Sequence, residues 1–319
     1  MLSRPCFCFF LLVASLYSQD VLSNKKILIC GICRDIEQYV PWAIQNIEEL
    51  GERFTDYHVF LYENNSADQT NFLLSEWATH NSRITFVSEV LAESELPFHR
   101  TERLALARNK VLQMARDERF ADFAYLLWAD LDFACQWPTD EIVNTIESSE
   151  DWNVVSANGI FREGIYRDRL AFRSKDYPLG PEVLGPCFWE DLEKSWFKLS
   201  TEENWLPVYS AFGGLAIYKT KEILPFSYGG LVNDDLFFFY KKILSNLEKR
   251  HKYLQLYFHT IKLYWPASSK KVPLVWNRYP YPTASCCEHV ILHAAMAKKG
   301  FDKIFVNPNM ILEYPPETE

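Results

Sequence analysis

The sequence predicts an α/β fold, a mostly parallel central sheet with helices on both faces. Three observations carry this reading. Short apolar runs alternate with stretches of helical periodicity from Lys26 to Trp128. The runs are apolar at successive positions, so both faces of each strand are buried. The segments between them are long enough for the crossover helices that parallel strands require.

Lys26 to Cys33, KILICGIC, is the first such run and reads as a buried strand. Pro41 to Phe54 has helical spacing of Trp42, Ile44, Ile47 and Leu50, with Pro41 in the first turn and Gly51 near the end. Tyr57 to Tyr62 is a second strand, Ala67 to His80 a helix, and Arg83 to Val87 a third strand. Thr101 to Arg116 is an amphipathic helix, and Phe123 to Trp128 is the fourth strand. From Asn158 to Val208, prolines, glycines and three tryptophans interrupt any period, so this reads as an irregular excursion, with one short helix at Trp189 to Leu199. Regular structure resumes as a strand at Tyr209 to Tyr218 and as helices at Asp234 to Lys249 and Cys287 to Lys299.

Composition narrows the function. Hydrophobic residues make up 48% and charged residues 24% of 319, ordinary values for a packed globular chain. The formal net charge of −9 and the lack of a long basic run argue against nucleic acid as a partner. The apolar run Cys6 to Tyr17, after Arg4 and before small residues, has the layout of a signal peptide or a short signal anchor over residues 1–20. It is expected to direct the protein to the secretory pathway or outside the cytoplasm, with membrane association through the N-terminal segment if the segment is an anchor that stays uncleaved. A single domain follows over residues 25–319. The eight cysteines have irregular spacing, and Cys30 and Cys33 fall three apart on a strand, hence on opposite faces. Buried free thiols are expected there.

Ligands of parallel α/β sheets bind beyond the carboxyl ends of the strands, which directs attention to the polar groups there. After the second strand come Glu63, Asn64, Asn65, Ser66, Ala67 and Asp68. Their short polar side chains suit ribose hydroxyls or a base edge, and Ser66 is placed to cap the next helix. Trp128-Ala129-Asp130-Leu131-Asp132 ends the fourth strand. Residues two apart on extended chain share a side, so both carboxylates can face one hard divalent cation, Mn2+ or Mg2+, that bridges to a diphosphate. The helix before that strand carries Arg103, whose fork suits phosphate, and then Arg108 and Asn109. Gly213 and Gly214 inside an apolar run mark either a bend or a close approach of backbone to ligand. Glu288 opens the last helix as a candidate general base, with His289 and His293 four apart on one face, His289 as a possible third metal ligand.

Several of these segments resemble those of the fungal capsule-associated α-1,3-mannosyltransferases and their relatives. The resemblance rests on Ile44 to Gly51 leading into Tyr62-Glu-Asn-Asn-Ser-Ala-Asp-Gln-Thr70, on Trp128-Ala-Asp-Leu-Asp132, on Tyr166-Arg-Asp-Arg-Leu-Ala-Phe-Arg173, and on Cys287-Glu-His289 with Asn307-Pro308. It implies the GT-A fold of nucleotide-diphospho-sugar transferases, a GDP- or UDP-sugar donor, a glycan or other hydroxyl acceptor, and a divalent cation. By that resemblance Glu63, Asn65, Asp68, Arg108 and Asn109 line the donor site, and Asp130 and Asp132 hold the metal. Tyr166, Asp168 and Arg173 then fall near the sugar or the acceptor, with Arg167 interrupting the family's Tyr-Asp pair.

The expected activity is therefore metal-dependent transfer of a sugar, mannose by analogy, to a hydroxyl. Two rivals remain. A sugar nucleotidyltransferase would need a glycine-rich loop after the first strand, where Gly31-Ile-Cys-Arg-Asp35 has one glycine. An inactive secreted carbohydrate-binding module could use the 16% aromatic content, but has little need for Asp130, Asp132 and Glu288 together.

Overall fold

The computed structural model of the protein describes residues 22–161, 163–184, 188, 196–246 and 285–315. The expected leader, most of the helix expected at Trp189 to Leu199, and the end of the helix expected at Asp234 to Lys249 lie outside the described residues. Residues 196–199, at the end of the former segment, are not helical.

In chain order the first half is β1 (Leu22–Cys33), α1 (Val40–Gly51), β2 (Phe54–Asn64), α2 (Thr70–His80), β3 (Ile84–Glu89), α3 (Arg100–Ala115), β4 (Tyr125–Asp130) and α4 (Thr139–Glu147). Then come β5 (Val154–Phe161), β6 (Ile165–Tyr166), α5 (Pro181–Leu184), β7 (Leu206–Val208), β8 (Leu215–Lys219), α6 (Thr220–Ile223), α7 (Asp234–Ser245), α8 (Glu288–Lys298) and β9 (Ile304–Glu313). The nine strands form one sheet, ordered β3-β2-β1-β4-β8-β5-β9-β7, with β6 paired to β5. Strands β1 to β4 are mutually parallel. Strand β8 runs against both β4 and β5, and β9 is parallel to β5, so β5 and β9 keep the direction of the first four. The sheet is therefore mostly parallel, as the apolar runs predict.

Both faces are covered. On β1, Ile27 and Ile29 point into a core shared with Ile47 and Leu50 of α1, Leu74 of α2 and Ile142 of α4. Leu28 and Cys30 point the other way, onto Val111 and Leu112 of α3 and Leu292 and Met296 of α8. Burying each such aliphatic chain stabilises the fold by about 1.5–3 kcal/mol, which is why the strands need no polar face. Cys30 and Cys33 are free and belong to opposite layers, as expected.

Two expectations need correction. The strand expected at Tyr209 to Tyr218 is broken, because Gly213 and Gly214 adopt left-handed φ of 66° and 82° and turn the chain before β8 starts at Leu215. Strand β9 was not expected. Its Pro308 lies in a bulge where the register with β5 jumps from Ala157↔Asn307 to Asn158↔Ile311. Proline is tolerated at such a bulge, where no ladder hydrogen bond is required of it.

The excursion is tied down from below. Arg173, fully buried, donates from Nε to the Tyr240 hydroxyl at 2.9 Å and from Nη2 to both Glu182 oxygens at 2.8 and 3.0 Å. Its Nη1 donates to the Phe172 and Leu170 carbonyls at 2.8 and 3.1 Å, and the Tyr240 hydroxyl also donates to Glu182. All three nitrogens are used, so Arg173 clasps residues 169–184 to α7 and is closed off from any sugar, contrary to the place the resemblance implies. Removing one member of a buried ion pair strands the other in a dry site. Arg173→Ala should lower stability by about 3–5 kcal/mol, seen as a fall in the urea midpoint at unchanged slope.

Candidate active site

The carboxyl edge of β4, the turn before β8, and the start of α8 converge around one side chain. Arg108 projects from α3 and is 3% exposed. Its Nη2 donates to Asp130 Oδ1 at 3.2 Å, and its Nε donates to Glu288 Oε1 at 3.1 Å. The guanidinium lies 5.0 Å from the Trp128 ring, 4.9 Å from Phe212 and 5.7 Å from Tyr228. Burial alone would lower its pKa, but Glu288 and Asp130 outweigh that and hold the cation firmly charged. Among the described residues its Nη1 has no hydrogen-bond partner.

Asp130 ends β4, where its N–H donates to the Gly214 carbonyl at 2.9 Å. Its side chain is 32% exposed. Burial raises its pKa to about 7; Arg108 opposes that rise, while Asp132, Asp168 and Glu288 add to it. Asp132 is exposed, and among the described residues no other side chain binds its carboxylate. Asp168 is half-buried and accepts from the Gly213 N–H at 3.0 Å and the Ala171 N–H at 3.3 Å. Burial raises its pKa, partly offset by those two N–H groups.

The glycine pair is fixed by packing as well as by φ. A Cβ on Gly213 would collide with the Ala157 carbonyl, and one on Gly214 would come within 2.6 Å of the Phe133 ring. The turn they form joins Asp130 to Asp168 through main chain, since Gly214 accepts from the first and Gly213 donates to the second.

The remaining residues singled out from sequence divide clearly. Glu63 is buried and accepts from Ser66 N at 2.6 Å, Ser88 Oγ at 2.5 Å and Asn71 Nδ2 at 3.4 Å. Asn65, at φ 59°, exchanges two hydrogen bonds with the Leu91 backbone. Asp68 accepts from Thr70 N and Glu37 N, both at 2.9 Å. Ser66 does not cap the next helix. Its hydroxyl accepts from Asp35 N, and α2 begins only at Thr70. These groups shape the turn beyond β2, each committed to its neighbours. Arg103 donates to the Pro97 carbonyl at 2.6 Å and so holds the chain before α3. Asn109 exchanges two hydrogen bonds with the Tyr228 backbone, at 3.0 and 2.8 Å.

Glu288 is 4% exposed, with Oε1 on Arg108 and Oε2 facing the Cys287 thiol at 3.8 Å. His289 stacks on Phe212 at 3.9 Å; among the described residues neither ring nitrogen has a hydrogen-bond partner, and Nε2 lies 3.7 Å from Glu288 Oε1. Burial, then Arg108 and His293, push its pKa far down and keep it neutral. His293 bridges Ser210 at 2.9 Å and Tyr218 at 3.0 Å, and burial lowers its pKa to about 3. The two rings share a face, 6.2 Å apart, as their spacing predicts.

Among the described residues, no group of three His, Cys, Asp or Glu is gathered into a metal cage. A divalent cation bound with a diphosphate needs only one or two carboxylates, the rest being phosphate oxygens and water. Asp132 and the free oxygen of Asp130 fit that donor set. Of the four carboxylates Asp130, Asp132, Asp168 and Glu288, Arg108 pairs with two, while Arg100 and Arg173 act on Asp132 and Asp168 only through their charge, which leaves room for a cation. His289, walled in behind Phe212, does not fit the set. A shallow concavity of ≈ 690 Å³ lined by Glu48, Tyr57, Trp77 and Arg83 lies at the opposite, amino edge of the sheet and is not part of this site.

Sequence reasoning did not single out Tyr314. It follows β9, and its half-buried ring packs on Phe133 at 4.8 Å, beside Gly159. The same rule that selected Asp130, a polar group just past a strand end, selects Tyr314 once β9 is recognised.

No family model matches the sequence, and no curated protein matches it. The chain is similar to several solved structures. A mannosyltransferase from Pyrobaculum calidifontis, in complex with GDP-Man and Mn2+, is 18% identical over 64% of this chain and 47% of its own, with a TM-score of 0.37. S. aureus TarS 1-349 in complex with UDP-GlcNAc is 14% identical over 64% of this chain and 48% of its own, at 0.38. Glucosyl-3-phosphoglycerate synthase from Mycobacterium tuberculosis, with Mn2+ and UDP, is 14% identical over 70% and 64%, at 0.35. The chain spans about half the length of the first two. Likenesses this low decide neither substrate nor activity.

The raised pKa of Asp130 links stability to pH. Its folded value of about 7 stands above the unfolded value of about 3.9, so its contribution is fully present below about pH 4 and is lost as pH rises to 7. Asp130→Asn cannot ionise. Its stability relative to wild type, followed by urea unfolding, should therefore rise between pH 4 and 7, by at most about 1.4 kcal/mol per pH unit.

Proposed function

We propose that the protein is a metal-dependent glycosyltransferase of the GT-A type. It would move a sugar from a nucleotide-diphosphate donor to a hydroxyl of a glycan or other acceptor. The observation that carries the reading is the pair at the carboxyl edge of β4: Asp130 oriented by a buried arginine, and Asp132 exposed and uncommitted beside it. A purely structural strand end has no use for a free carboxylate set among three others.

Asp132, with the second oxygen of Asp130, would hold a Mn2+ or Mg2+ ion. That ion would supply neutralising charge to the leaving diphosphate. Arg108 holds Asp130 through one of its oxygens and leaves the other for binding. The turn after β2, shaped by Glu63, Asn65 and Asp68, forms the wall where the nucleotide would lie. Of the carboxylates left for the acceptor hydroxyl, Glu288 is nearly closed off and already bound to Arg108. Asp168, half-buried and with its pKa raised, is the one an incoming hydroxyl reaches, and a raised carboxylate is the better base near neutral pH. The role expected of Glu288 thus becomes that of counter-ion to Arg108.

The resemblance of Tyr62 to Thr70 and of Trp128 to Asp132 to the capsule-associated mannosyltransferases favours GDP-mannose as donor. The apolar N-terminal segment favours residence in the secretory pathway or outside the cytoplasm. Among the described residues no helix is long and apolar enough to cross a membrane.

Two measurements test the proposal. A thermal-shift screen of GDP, UDP and CMP should show stabilisation by one nucleotide only when Mn2+ is present. Asp132→Asn should abolish metal-dependent transfer while changing unfolding stability by no more than about 0.5 kcal/mol, as befits an exposed side chain. Undiminished transfer by that variant sinks the reading.

A further inference from the structure

Tyr314 reaches the carboxylate cluster from the last strand. The ring lies beside Gly159, where an added Cβ would come within 2.7 Å of its edge and would also meet the Gly213 carbonyl. Gly213 is the residue whose N–H holds Asp168, and its neighbour Gly214 accepts from Asp130. On the other side the ring packs on Phe133, next to Asp132 in the chain. The Tyr314 backbone N–H donates to the Ile160 carbonyl at 2.8 Å and fixes the approach. Its hydroxyl makes no hydrogen bond to any described residue, and the charges of Asp168, Asp130 and Asp132 all bear on it.

Beside three carboxylates that only accept, the Tyr314 phenol offers a donor, and the Tyr166 hydroxyl, nearly closed off from solvent, is the other phenol whose charge bears on it. The group that fits between the two kinds is one that accepts and donates at once, which is a hydroxyl. The nearest sugar to Asp130 and Asp132 is the one joined to the diphosphate they would anchor. Resting on the glycosyltransferase reading, we infer that Tyr314 is a specificity-determining residue that donates its phenolic proton to a hydroxyl of the donor sugar. That hydroxyl in turn donates to one of the surrounding carboxylates. The nucleotide and diphosphate make no use of Tyr314.

Tyr314→Phe keeps the ring against Phe133 and Gly159 and removes only the hydroxyl. Calorimetry with Mn2+ present would compare GDP with GDP-mannose, and UDP with UDP-glucose, on the full chain. Wild type should bind one nucleotide-sugar more tightly than its bare nucleotide, and Tyr314→Phe should lose that margin, up to about tenfold, with binding of the bare nucleotide unchanged. In transfer assays kcat/KM should fall by a similar factor. If wild type shows the margin and Tyr314→Phe retains all of it, the assignment of Tyr314 falls and the glycosyltransferase reading stands. If wild type binds no nucleotide with Mn2+, both fall together.

Discussion

One buried guanidinium organises the carboxyl edge of the sheet. Arg108 leaves water almost completely, at a cost of several kcal/mol for a lone ion. Asp130 and Glu288 offset that cost, and three aromatic rings surround the cation on its open sides. The three charged groups come from α3, β4 and α8. Helices on one face and a strand in the middle of the sheet are thereby registered to one another at a single point. The direction of Asp130, the burial of Glu288 and the position of Phe212 all follow from it.

Main chain carries the frame across the sheet. Strand β8 runs against its neighbours, so it must enter from the carboxyl edge, where β4 ends. The two left-handed glycines make that entry possible in a space too tight for a side chain. They also place one N–H and one carbonyl where Asp168 and Asp130 need them. The N–H holds the Asp168 carboxylate with less freedom than a long side chain would, and the carbonyl fixes the Asp130 main chain from which its side chain is aimed.

The first four strands and their helices were legible because each strand is apolar throughout and each helix has a 3.6-residue stripe. Boundaries moved by a few residues, and Asp130 ends its strand as expected. The aspartate pair was legible from its place after a strand. The partner of Asp130 was not, since Arg108 and Asp130 are 22 residues apart and their meeting depends on how α3 packs. Asn109, Arg103 and Arg173 look like ligand groups in sequence because amides and guanidiniums suit phosphate and sugar. In the fold Asn109 spends its amide on the Tyr228 backbone, Arg103 its Nε on the Pro97 carbonyl, and Arg173 all its nitrogens on carbonyls, Tyr240 and Glu182. Strand β9 was hidden by Pro308, and Tyr314 was hidden with it.

Strand β9 also has a consequence for how the molecule assembles. It is an interior strand, lying between β5 and β7, yet it comes from the far end of the described chain. Asn158 and Pro308, which meet across that seam, are 150 residues apart. Closing so long a loop costs entropy before any pairing rewards it. The half of the sheet built from β1 to β4 needs only local crossovers and can collapse early. The other half has to wait with β5 exposed along one side, and a ribosome-bound chain would carry that unpaired edge until the final strand emerged. A nascent chain of this topology is therefore open to association through β5 during synthesis.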